Sequence, residues 1–233
     1  MDSDPICMEL LRQGVAELGI PLSVFQEKQF NAYLRELAMF NKVYKLVAAE
    51  GRDLIVKHVL DSMAAVPVFR RLIEGHAWPS VHVCDVGSGA GFPGIPLAIM
   101  LDSIQFTLVE RSGRRTGFLR NALAVCNLVD RVEVLEKDLS EVTGSFQLVT
   151  FRAFHPLPDV LGSIGRITAD DGVVCAYKGK SDETEKELQA IGSLVERGKS
   201  GSPYGWRSTL VPLLVPFLDA QRQLCLLEKH SST

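Results

Sequence analysis

The stretch from Val81 to Pro96, VHVCDVGSGAGFPGIP, holds the residues best suited to chemistry. Apolar residues typical of a strand lead into Asp85, glycines follow closely from Gly87, and the run LAIM after Pro96 predicts a helix. Glycines in such a turn let the backbone approach a ligand and aim the N–H groups of the helix N-terminus at it. We therefore predict a ligand-binding turn that includes Asp85, Gly87, Ser88 and Gly89.

Two kinds of nucleotide-like ligand match this turn. Residues 89–94 match the dinucleotide fingerprint G-x-G-x-x-G, but counted from Gly87 the third glycine is replaced by Phe92. Asp85, just ahead of the first glycine, would repel a pyrophosphate and would suit a cationic amino group. S-adenosylmethionine carries an ammonium and a sulfonium but no phosphate, and D-x-G-x-G-x-G after a first strand is the pattern of Rossmann-like methyltransferases. A structural turn without a ligand is the alternative.

Further polar residues stand where the next predicted strands end, and such ends line the site in an open α/β sheet. Glu110 follows the turn by about 20 residues, where an acid accepts hydrogen bonds from ribose hydroxyls. Asp138 would accept from an adenine amino group while the backbone of Leu139 and Ser140 meets the ring edge. Solvated strand ends are the structural alternative. Phe92 would contact the cofactor, brace the loop or belong to the core.

Cations follow the fourth and fifth predicted strands. Arg152 would position the substrate or the cofactor carboxylate as a bidentate donor, unless it forms a salt bridge with a carboxylate such as Asp85. Lys178 would add positive potential for a phosphate, or is a surface lysine. His58 and Asp61, spaced three apart on a predicted helix, would pair locally and form no metal site, since no third ligand stands nearby. A basic cluster contacts phosphates or forms a solvated helix face: Arg111, Arg114, Arg115 and Arg120.

The composition is that of a globular chain: 233 residues, 46% hydrophobic and 23% charged. No apolar run reaches the ~20 residues that span a bilayer, and the acidic N-terminus lacks the basic region of a secretory signal. Five scattered cysteines without a C-x-x-C favour reduced thiols and no metal site. We therefore expect a cytoplasmic protein that does not bind membranes. With a net charge of −3, it must meet any nucleic acid through a local patch.

The elements that position these residues form two parts. Residues 1–78 are expected to be a helical N-terminal extension packed on a catalytic domain of residues 79–233. The extension has predicted helices at 6–20, 24–49 and 54–69. In the catalytic domain, predicted strands lie at 81–86, 105–110, 132–136, 146–151, 172–177, 209–215 and 223–228. Helices alternate with the first five strands, beginning near 95 and covering 113–125, 157–167 and 181–195.

This order of elements predicts the fold class. Alternating strands and helices imply parallel pairing with right-handed crossovers, and the last two strands, with no helix between them, imply an antiparallel hairpin. The fold is therefore expected to be α/β: a Rossmann-like, class I S-adenosylmethionine-dependent methyltransferase with a seven-stranded, mostly parallel sheet and a helical N-terminal extension. Residues 199–203 are expected to form a flexible loop.

Several motifs taken together resemble the ribosomal RNA small-subunit methyltransferase G family, also called glucose-inhibited division protein B. The central motifs are DVGSGAGFPGIPLAI, FTLVERSGRRTGFLRN, FRAF and YKGK. The helical part adds FNK at 40–42 and HVLDS at 58–62, and the C-terminal part adds VP at 215–216 and RQL at 222–224. The resemblance covers nearly the whole chain from about Leu22 onward.

The resemblance implies a bacterial cytoplasmic enzyme that uses S-adenosylmethionine to methylate N7 of one guanine in the 530 loop of 16S ribosomal RNA. The family's cofactor contacts fall on Gly87, Phe92, Leu139, Ser140 and Arg152. RNA contacts are expected from four cations: Lys178, Arg114, Arg115 and Arg222. Two departures stand out. The family usually has Asn-Leu-Thr where this chain has Lys-Leu-Val at 45–47, and aspartate is also common at position 110.

The implied reaction suits these residues. Guanine N7 carries a lone pair and no proton, so attack on a sulfonium methyl needs no general base, and no catalytic His, Cys or Tyr is required. Catalysis would come from in-line positioning and electrostatics. Because the ring gains positive charge, a carboxylate such as Asp85 or Glu110 near the methyl would help. Arg152, the one catalytic candidate, is expected to hold O6, a phosphate or the cofactor carboxylate.

Three other functions stay open at the level of sequence. The chain could be a methyltransferase of the same fold that acts on a small molecule or a protein. It could be a nicotinamide-dependent oxidoreductase, which would need a hydride-relay residue. It could also be an RNA- or ribosome-binding module that has lost catalysis. We expect a monomer whose partner is 16S ribosomal RNA or the small ribosomal subunit.

Overall fold

The computed structural model describes residues 5–179, 182–196 and 204–231. In these residues one seven-stranded sheet has the order β3-β2-β1-β4-β5-β7-β6. Strands β1 to β5 pair in parallel, and β7 pairs antiparallel with both β5 and β6. The strands are β1 (His82–Val86), β2 (Gln105–Glu110), β3 (Val132–Glu136), β4 (Phe146–Arg152), β5 (Thr168–Gly179), β6 (Tyr204–Leu213) and β7 (Arg222–Ser231).

Helices precede the sheet and connect its parallel strands. The extension contains α1 (Pro5–Glu17), α2 (Val24–Tyr44), α3 (Gly51–Leu54), α4 (Asp61–Met63) and α5 (Val66–His76). A π-helical turn, Ile55–Leu60, joins α3 to α4. The connecting helices are α6 (Gly94–Met100), α7 (Gly113–Val125), α8 (Leu157–Ile167) and α9 (Asp182–Glu196), with a 3₁₀ turn at Leu139–Glu141.

The predicted fold is confirmed, including the parallel strands and the closing antiparallel hairpin. The extension differs most from its prediction. The helix expected over 54–69 is a continuous helical stretch over 51–63 that contains the π-helical turn, and α5 then begins with a proline in its first turn. Proline is favoured there because the N–H it lacks would have no helical partner. The loop predicted at 199–203 lies outside the described residues.

Both ends of α2 have identifiable causes. Ser23 caps its N-terminus in a capping box with Gln26. Lys45 caps its C-terminus with a φ of 51°, in the left-handed region, and the side chain of Asn41 bonds both the N–H and the carbonyl of Val47. Asparagine adopts left-handed backbone more readily than lysine. The lysine at position 45 therefore replaces a residue better suited to this cap.

Neighbouring residues of the central strands face two different hydrophobic cores, as expected for a sheet covered on both sides. Leu148 belongs to the first core, which also takes in the extension, α6 and α7. Val149 belongs to the second core, which α8 covers. Because buried residues such as Leu37 and Phe69 of the extension share the first core with the sheet, the extension packs on the sheet directly. The domain boundary at 78/79 stays a prediction.

Two further properties concern the described residues only. None of their helices combines the length and apolar character needed to cross a membrane. No group of three or more His, Cys, Asp and Glu side chains among them is placed to hold a metal ion. All five cysteines are free, and four of them are buried: Cys84, Cys126, Cys175 and Cys225.

Candidate active site

Two clefts meet at the carboxyl ends of the parallel strands. The smaller cleft, of about 330 Å³, lies over the ends of β1, β2 and β3. The larger cleft, of about 570 Å³, lies between the ends of β4, β5 and β7 and the helical stretch over 51–63. Ala153, Phe154 and His155, in the loop after β4, border both clefts. Ala153 has a φ of 49°, a strained backbone that is typical of functional loops.

Gly87 lines the smaller cleft, and two features require glycine there. Its φ is 71°, a left-handed conformation that L side chains rarely adopt. A Cβ atom at Gly87 would also lie 2.5 Å from the ring of Phe154. Gly89 has a φ of 59°, but a Cβ there would meet only the carbonyl oxygen of Gly87, at 3.8 Å. At the cleft side of this turn, the close approach is therefore that of the Phe154 ring to Gly87.

The N–H groups of the glycine turn are mostly used within the protein. Those of Gly87 and Ser88 donate to the carbonyl of Val109 on β2. The N–H of Gly89 donates to Glu110, and that of Gly94, the first residue of α6, donates to Asp85. The expectation that the N-terminus of this helix points N–H donors at a ligand is therefore wrong. A turn closed in this way offers no open nest to a pyrophosphate.

Asp85 is fully buried and lines neither cleft. Its Oδ2 accepts the Gly94 N–H at 3.0 Å, and its Oδ1 has no hydrogen-bond partner. Burial raises the pKa of this carboxyl to about 7. Ser88 is equally buried, and its hydroxyl donates to the backbone carbonyl of Asp85 at 3.0 Å. Both side chains hold the backbone of the turn from its buried side. Their contact with a cofactor stays a prediction.

Glu110 stands at the smaller cleft as predicted, although little of it is exposed. Its Oε2 accepts the Gly89 N–H at 3.0 Å and its Oε1 accepts the Ser112 N–H at 2.9 Å. Arg115 lies 3.7 Å from Oε2. A carboxylate has about four acceptor positions, so Glu110 keeps the capacity to accept bonds from a ligand.

Asp138 and Leu139 also line the smaller cleft, while Ser140 does not. Asp138 caps the 3₁₀ turn: its Oδ1 accepts both the N–H of Ser140, at 3.0 Å, and its hydroxyl, at 2.8 Å. These two bonds lower the pKa of Asp138, so the carboxyl stays ionised. The structure therefore gives Asp138 a local capping role besides its predicted contact with an adenine amino group.

Phe92 lines neither cleft and is buried at the junction of the extension and the glycine turn. Its ring meets that of Tyr33 edge-on at 5.6 Å and lies 5.2 Å from the ring of His58. The Tyr33 hydroxyl donates to the carbonyl of Ala90 at 2.5 Å. Of the three roles considered for Phe92, this packing favours the one that braces the loop.

Arg152 is the centre of the larger cleft. One terminal nitrogen donates to Asp61 Oδ2, at 2.9 Å, and to the carbonyl of Lys57, at 3.0 Å. The other lies 2.7 Å from His58 Nδ1. Its guanidinium also lies over the ring of Phe92, 5.4 Å from the centroid. The carboxylate that pairs with Arg152 is therefore Asp61, and the alternative that named Asp85 is wrong.

His58 and Asp61 contact Arg152, so the predicted local pair between them is wrong. The guanidinium can only donate, and His58 Nδ1 must therefore carry no proton. Burial, together with the charges of Arg152 and Lys57, lowers the pKa of His58 to about 4. The imidazole is consequently neutral at physiological pH.

Arg222 and Lys178 complete the wall of the larger cleft. Arg222 donates from Nε to Asp61 Oδ1 at 3.1 Å, so Asp61 joins two arginines. Lys178 is bound to Glu187 of α9 at 2.6 Å. Each predicted substrate-binding cation of this cleft thus has an acidic partner, which reduces the positive potential expected from sequence.

The basic cluster around the start of α7 is also largely neutralised. Arg111 lies 3.9 Å from Asp138, Arg115 lies near Glu110, and Arg120 lies 3.1 Å from Glu136. Arg114 is the member of the cluster without an ion pair among the described residues, and it is exposed. Within the cluster, Arg114 is therefore the cation best placed to meet a phosphate.

Two parts of the site do not follow from the sequence. The FRAF motif contains Phe154 but does not indicate that its ring packs on Gly87. The predicted helix contains Lys57, His58 and Asp61 but does not indicate that they contact a strand end. Their spacing puts them on one face of a helix, which is a signal of a shared contact. The residue that this face contacts is Arg152, at the C-terminal end of β4, and the spacing does not indicate it.

The smaller cleft fits a nucleoside that carries no phosphate. Its glycine turn has few free N–H donors for an anion, its acids Glu110 and Asp138 accept hydrogen bonds, and Leu139 supplies an apolar wall. These features match the chemical groups of S-adenosylmethionine, whose hydroxyls and amino groups are donors. Three cations also line this cleft: Arg111, Arg115 and Lys137. The argument against a pyrophosphate is therefore the closed glycine turn, which lacks an open nest of N–H groups.

Two solved structures with a similar fold are methyltransferases. The O-methyltransferase from Bacillus cereus, solved in complex with SAH, has a TM-score of 0.58 at 16% identity, covering 93% of this chain and 96% of that chain. Magnesium protoporphyrin IX methyltransferase from Synechocystis, solved with bound SAM, has a TM-score of 0.54 at 14% identity, covering 98% and 100%. The fold is therefore the Rossmann-like fold of class I methyltransferases.

Sequence comparison then identifies the family. Residues 26–200 match the family model described as rRNA small subunit methyltransferase G. The ribosomal RNA small subunit methyltransferase G of Cupriavidus necator is 33% identical, covering 100% of this chain and 99% of its own. That of Ralstonia nicotianae is 36% identical and covers 93% of both chains. The chain belongs to the ribosomal RNA small subunit methyltransferase G family, and the resemblance inferred from its motifs is confirmed.

Proposed function

We propose that this chain transfers the methyl group of S-adenosylmethionine to N7 of a guanine in the 530 loop of 16S ribosomal RNA. One observation carries the proposal. A cleft suited to a nucleoside without phosphate adjoins a second, cation-lined cleft across the loop that holds Ala153, Phe154 and His155. Two substrates can meet at such a junction, and membership of the family supports ribosomal RNA as the second one.

The smaller cleft is proposed to hold the cofactor, which supplies an electrophilic methyl group when bound. Glu110 would accept the ribose hydroxyls, because its two oxygens each keep acceptor capacity beside their backbone bonds. Asp138 would accept an adenine amino group with Oδ2, since Oδ1 already holds Ser140. Gly87 would let the ligand pass close to the backbone. Phe92 would act through the turn that it braces.

The larger cleft is proposed to receive the guanine. N7 carries no proton, so no residue needs to act as a base, and the neutral His58 is occupied by Arg152. Three of the Arg152 hydrogen bonds go to Lys57, His58 and Asp61, so the guanidinium is held rigidly beside the β4 loop. Catalysis would then rest on orientation of the base against the methyl group and on the electrostatics of this wall.

The RNA chain is proposed to reach the clefts over cations at their rim, foremost the exposed Arg114. Arg115, Lys178 and Arg222 would contribute less, because carboxylates hold them. We further propose that the protein acts as a monomer in the cytoplasm on the small ribosomal subunit or its RNA. Phosphate contacts of this kind make binding strongly dependent on salt. A methyltransferase for small molecules would not need them.

A methyl-transfer assay tests the proposal. The protein is incubated with S-adenosylmethionine labelled in the methyl group and with small subunits from cells that lack the modification, and the RNA is mapped by cleavage specific for N7-methylguanine. We expect one labelled site, in the 530 loop. Small subunits from cells that carry the modification are the control and should take up no label. Label at another position, or binding of the cofactor without label in RNA, would contradict the proposal.

A further inference from the structure

One carboxylate of the extension joins two arginines that come from different strands. Asp61 receives Arg152, the last residue of β4, on Oδ2, and Arg222, the first residue of β7, on Oδ1. We name this set the arginine bridge: Arg152, Asp61 and Arg222. All three residues line the larger cleft. The bridge is therefore both a link between the extension and the sheet and a part of the cleft wall.

The bridge carries one more positive than negative charge. The other groups that face it do not change this balance. His58 is neutral because its Nδ1 accepts from Arg152, and Lys57 is paired with the exposed Asp53 at 2.7 Å. Lys178 is paired with Glu187 across the cleft. Asp61 thus determines whether the wall beside Arg152 carries one positive charge or two.

The charge of Asp61 interacts strongly with its neighbours because the side chain is buried. The side chain of Asp61 is 5% exposed, whereas those of Arg152 and Arg222 are 17% and 30% exposed. Charges shielded from water interact more strongly than exposed ones. Each oxygen of this buried carboxylate is bonded to one guanidinium group. Asp61 therefore lies within the cleft wall, between the two cations whose charge it offsets.

The proposed reaction is sensitive to that charge. When N7 attacks the sulfonium methyl, the carbon–sulfur bond breaks, its electron pair stays on sulfur, and the positive charge moves from sulfur to the guanine ring. Positive charge is thus present near the β4 loop before, during and after transfer. Two uncompensated guanidiniums beside it would oppose both the cofactor and the methylated base.

We propose that Asp61 is a positioning residue for methyl transfer: it holds Arg152 and Arg222 at the wall of the larger cleft and offsets their positive charge where the cationic methyl group and guanine ring must lie. This role rests on the proposed function. It assigns the extension a direct part in the reaction, through a residue that need not touch either substrate.

The central variant is Asp61→Asn, which keeps the shape and one acceptor but removes the charge. We expect the single-turnover rate of methylation, measured at saturating RNA, to fall roughly 10- to 100-fold. The matched control is Glu74→Gln, which removes an equal charge from an exposed acid of the extension, on α5, that lines neither cleft. It should leave the rate unchanged. Thermal unfolding of both variants shows how much of each chain is folded.

A second readout needs neither RNA nor turnover. S-adenosylmethionine carries a sulfonium charge and S-adenosylhomocysteine does not, so the ratio of their affinities reports the potential at the sulfur. Asp61→Asn should weaken binding of the charged ligand relative to the neutral one by roughly tenfold. Glu74→Gln should leave the ratio unchanged. A loss of folding alone would weaken both ligands equally.

Arg222→Met tests the same charge balance from the other side and does not require the Asp61 variant to fold. It leaves one carboxylate for Arg152 and lowers the positive charge of the wall. We expect weaker RNA binding, and S-adenosylmethionine should gain affinity relative to S-adenosylhomocysteine, which is the opposite of the shift expected for Asp61→Asn. In the Asp61→Asn background, Arg222→Met should recover part of the lost rate, because it removes one of the two unbalanced charges.

The outcomes separate the two proposals. If the wild type labels RNA but Asp61→Asn changes neither rate nor affinity ratio, the role of Asp61 is overturned and the function stands. It is also overturned if Arg222→Met shifts the affinity ratio in the same direction as Asp61→Asn does. If the wild type binds both ligands and labels no RNA, the proposed function fails, while a shifted affinity ratio would still support the electrostatic role of Asp61.

Discussion

The two clefts adjoin each other but are built in different ways. In the smaller cleft, Glu110 is bonded to Gly89, only 21 residues away, and much of the geometry comes from backbone hydrogen bonds between β1 and β2. In the larger cleft, Asp61 is bonded to Arg152 and Arg222, at separations of 91 and 161 residues. The smaller cleft follows from a local motif, and the larger one requires the whole fold to be assembled.

This difference has a functional meaning. A cofactor site built from one strand–turn unit and its neighbours tolerates change elsewhere, which suits a ligand shared by many class I methyltransferases. A substrate site built from side chains of remote segments can vary without disturbing the cofactor. The extension, which supplies Lys57, His58 and Asp61 to the larger cleft, is the segment where such variation would act.

Removal of the extension should have the largest effect. Deletion of residues 1–78 strips buried residues such as Leu37 and Phe69 from the first core, and it removes the Tyr33 hydroxyl that holds Ala90. We expect a chain that no longer unfolds cooperatively and methylates no RNA. Circular dichroism on heating measures the first property and the methyl-transfer assay the second, and calorimetry with S-adenosylmethionine shows whether the truncated chain binds the cofactor. A truncated chain that still binds the cofactor would show that the smaller cleft is independent of the extension.

Gly87→Ala should have the next largest effect, confined to the smaller cleft. The new Cβ would lie 2.5 Å from the Phe154 ring, and the φ of 71° would be strained. Strain of this kind costs about 1–3 kcal/mol, and relief by movement of the turn should weaken cofactor binding roughly 100-fold. Binding is measured by calorimetry.

Gly117→Ala is the control for this variant. Gly117 lies within α7, and a Cβ there would meet nothing within 4 Å. Alanine is the better helix former, so cofactor affinity should not change and stability should not fall. Adding Phe154→Ala to Gly87→Ala should recover part of the affinity, because it removes the clash. No recovery would mean that the backbone conformation alone requires glycine.

Asp85→Asn should change how the free energy of unfolding depends on pH, because it removes a buried carboxyl. Its pKa is raised from 3.8 to about 7 by burial, so the folded chain keeps a proton that the unfolded chain has lost. Asp85 therefore lowers the free energy of unfolding progressively as pH rises from about 4 to 7. Asparagine does not titrate. The stability of the variant relative to the wild type should rise by about 2 kcal/mol between pH 5 and pH 8.

Urea unfolding at several pH values measures this difference. His58, whose pKa is lowered to about 4, reduces the stability of both chains as pH falls. Its effect therefore cancels when the variant is compared with the wild type. Asp53→Asn, at an exposed acid, should show no such rise. A difference between Asp85→Asn and wild type that is constant with pH would show that Asp85 is ionised in the folded chain throughout.

The smallest effect should come from Arg114→Gln. Arg114 is exposed and has no ion pair among the residues that the structure describes, so its loss should weaken RNA binding a few-fold and reduce the salt slope by about 1. The control is Arg71→Gln on α5. This helix ends at His76, which lies near Glu228, at the edge of the sheet opposite the clefts. It should change neither quantity. Equal effects at both positions would indicate binding by overall charge.

Most of the fold could be predicted from sequence because its elements are locally specified. The bounds of β2, α7, β3 and α8 match the structure, since glycines, prolines and apolar periodicity mark their ends. The extension was less predictable. Periodicity does not distinguish an α-helix from one with a π-helical turn, and the turn at Ile55–Leu60 depends on its tertiary contacts.

The candidate site divides in the same way. Strand ends gave Gly87, Glu110, Asp138 and Leu139, all of which line the smaller cleft, because parallel strands bring their carboxyl ends to one edge. The sequence indicated which cations line the larger cleft, but it did not indicate which acids pair with them. The pairing of Lys178 with Glu187, and of the arginines near α7 with acids of β2 and β3, reduces a positive potential that residue counting overstates.

The sequence by itself determined the order of the elements, the glycine turn and the family, because each is written in contiguous residues whose backbone preferences act locally. Only the tertiary structure decided that Asp85 is buried without a partner for one oxygen, that Phe154 covers Gly87, and that Asp61 joins Arg152 to Arg222. The physical reason is that burial and charge pairing depend on distances between remote segments. Those distances are fixed when the extension packs on the sheet.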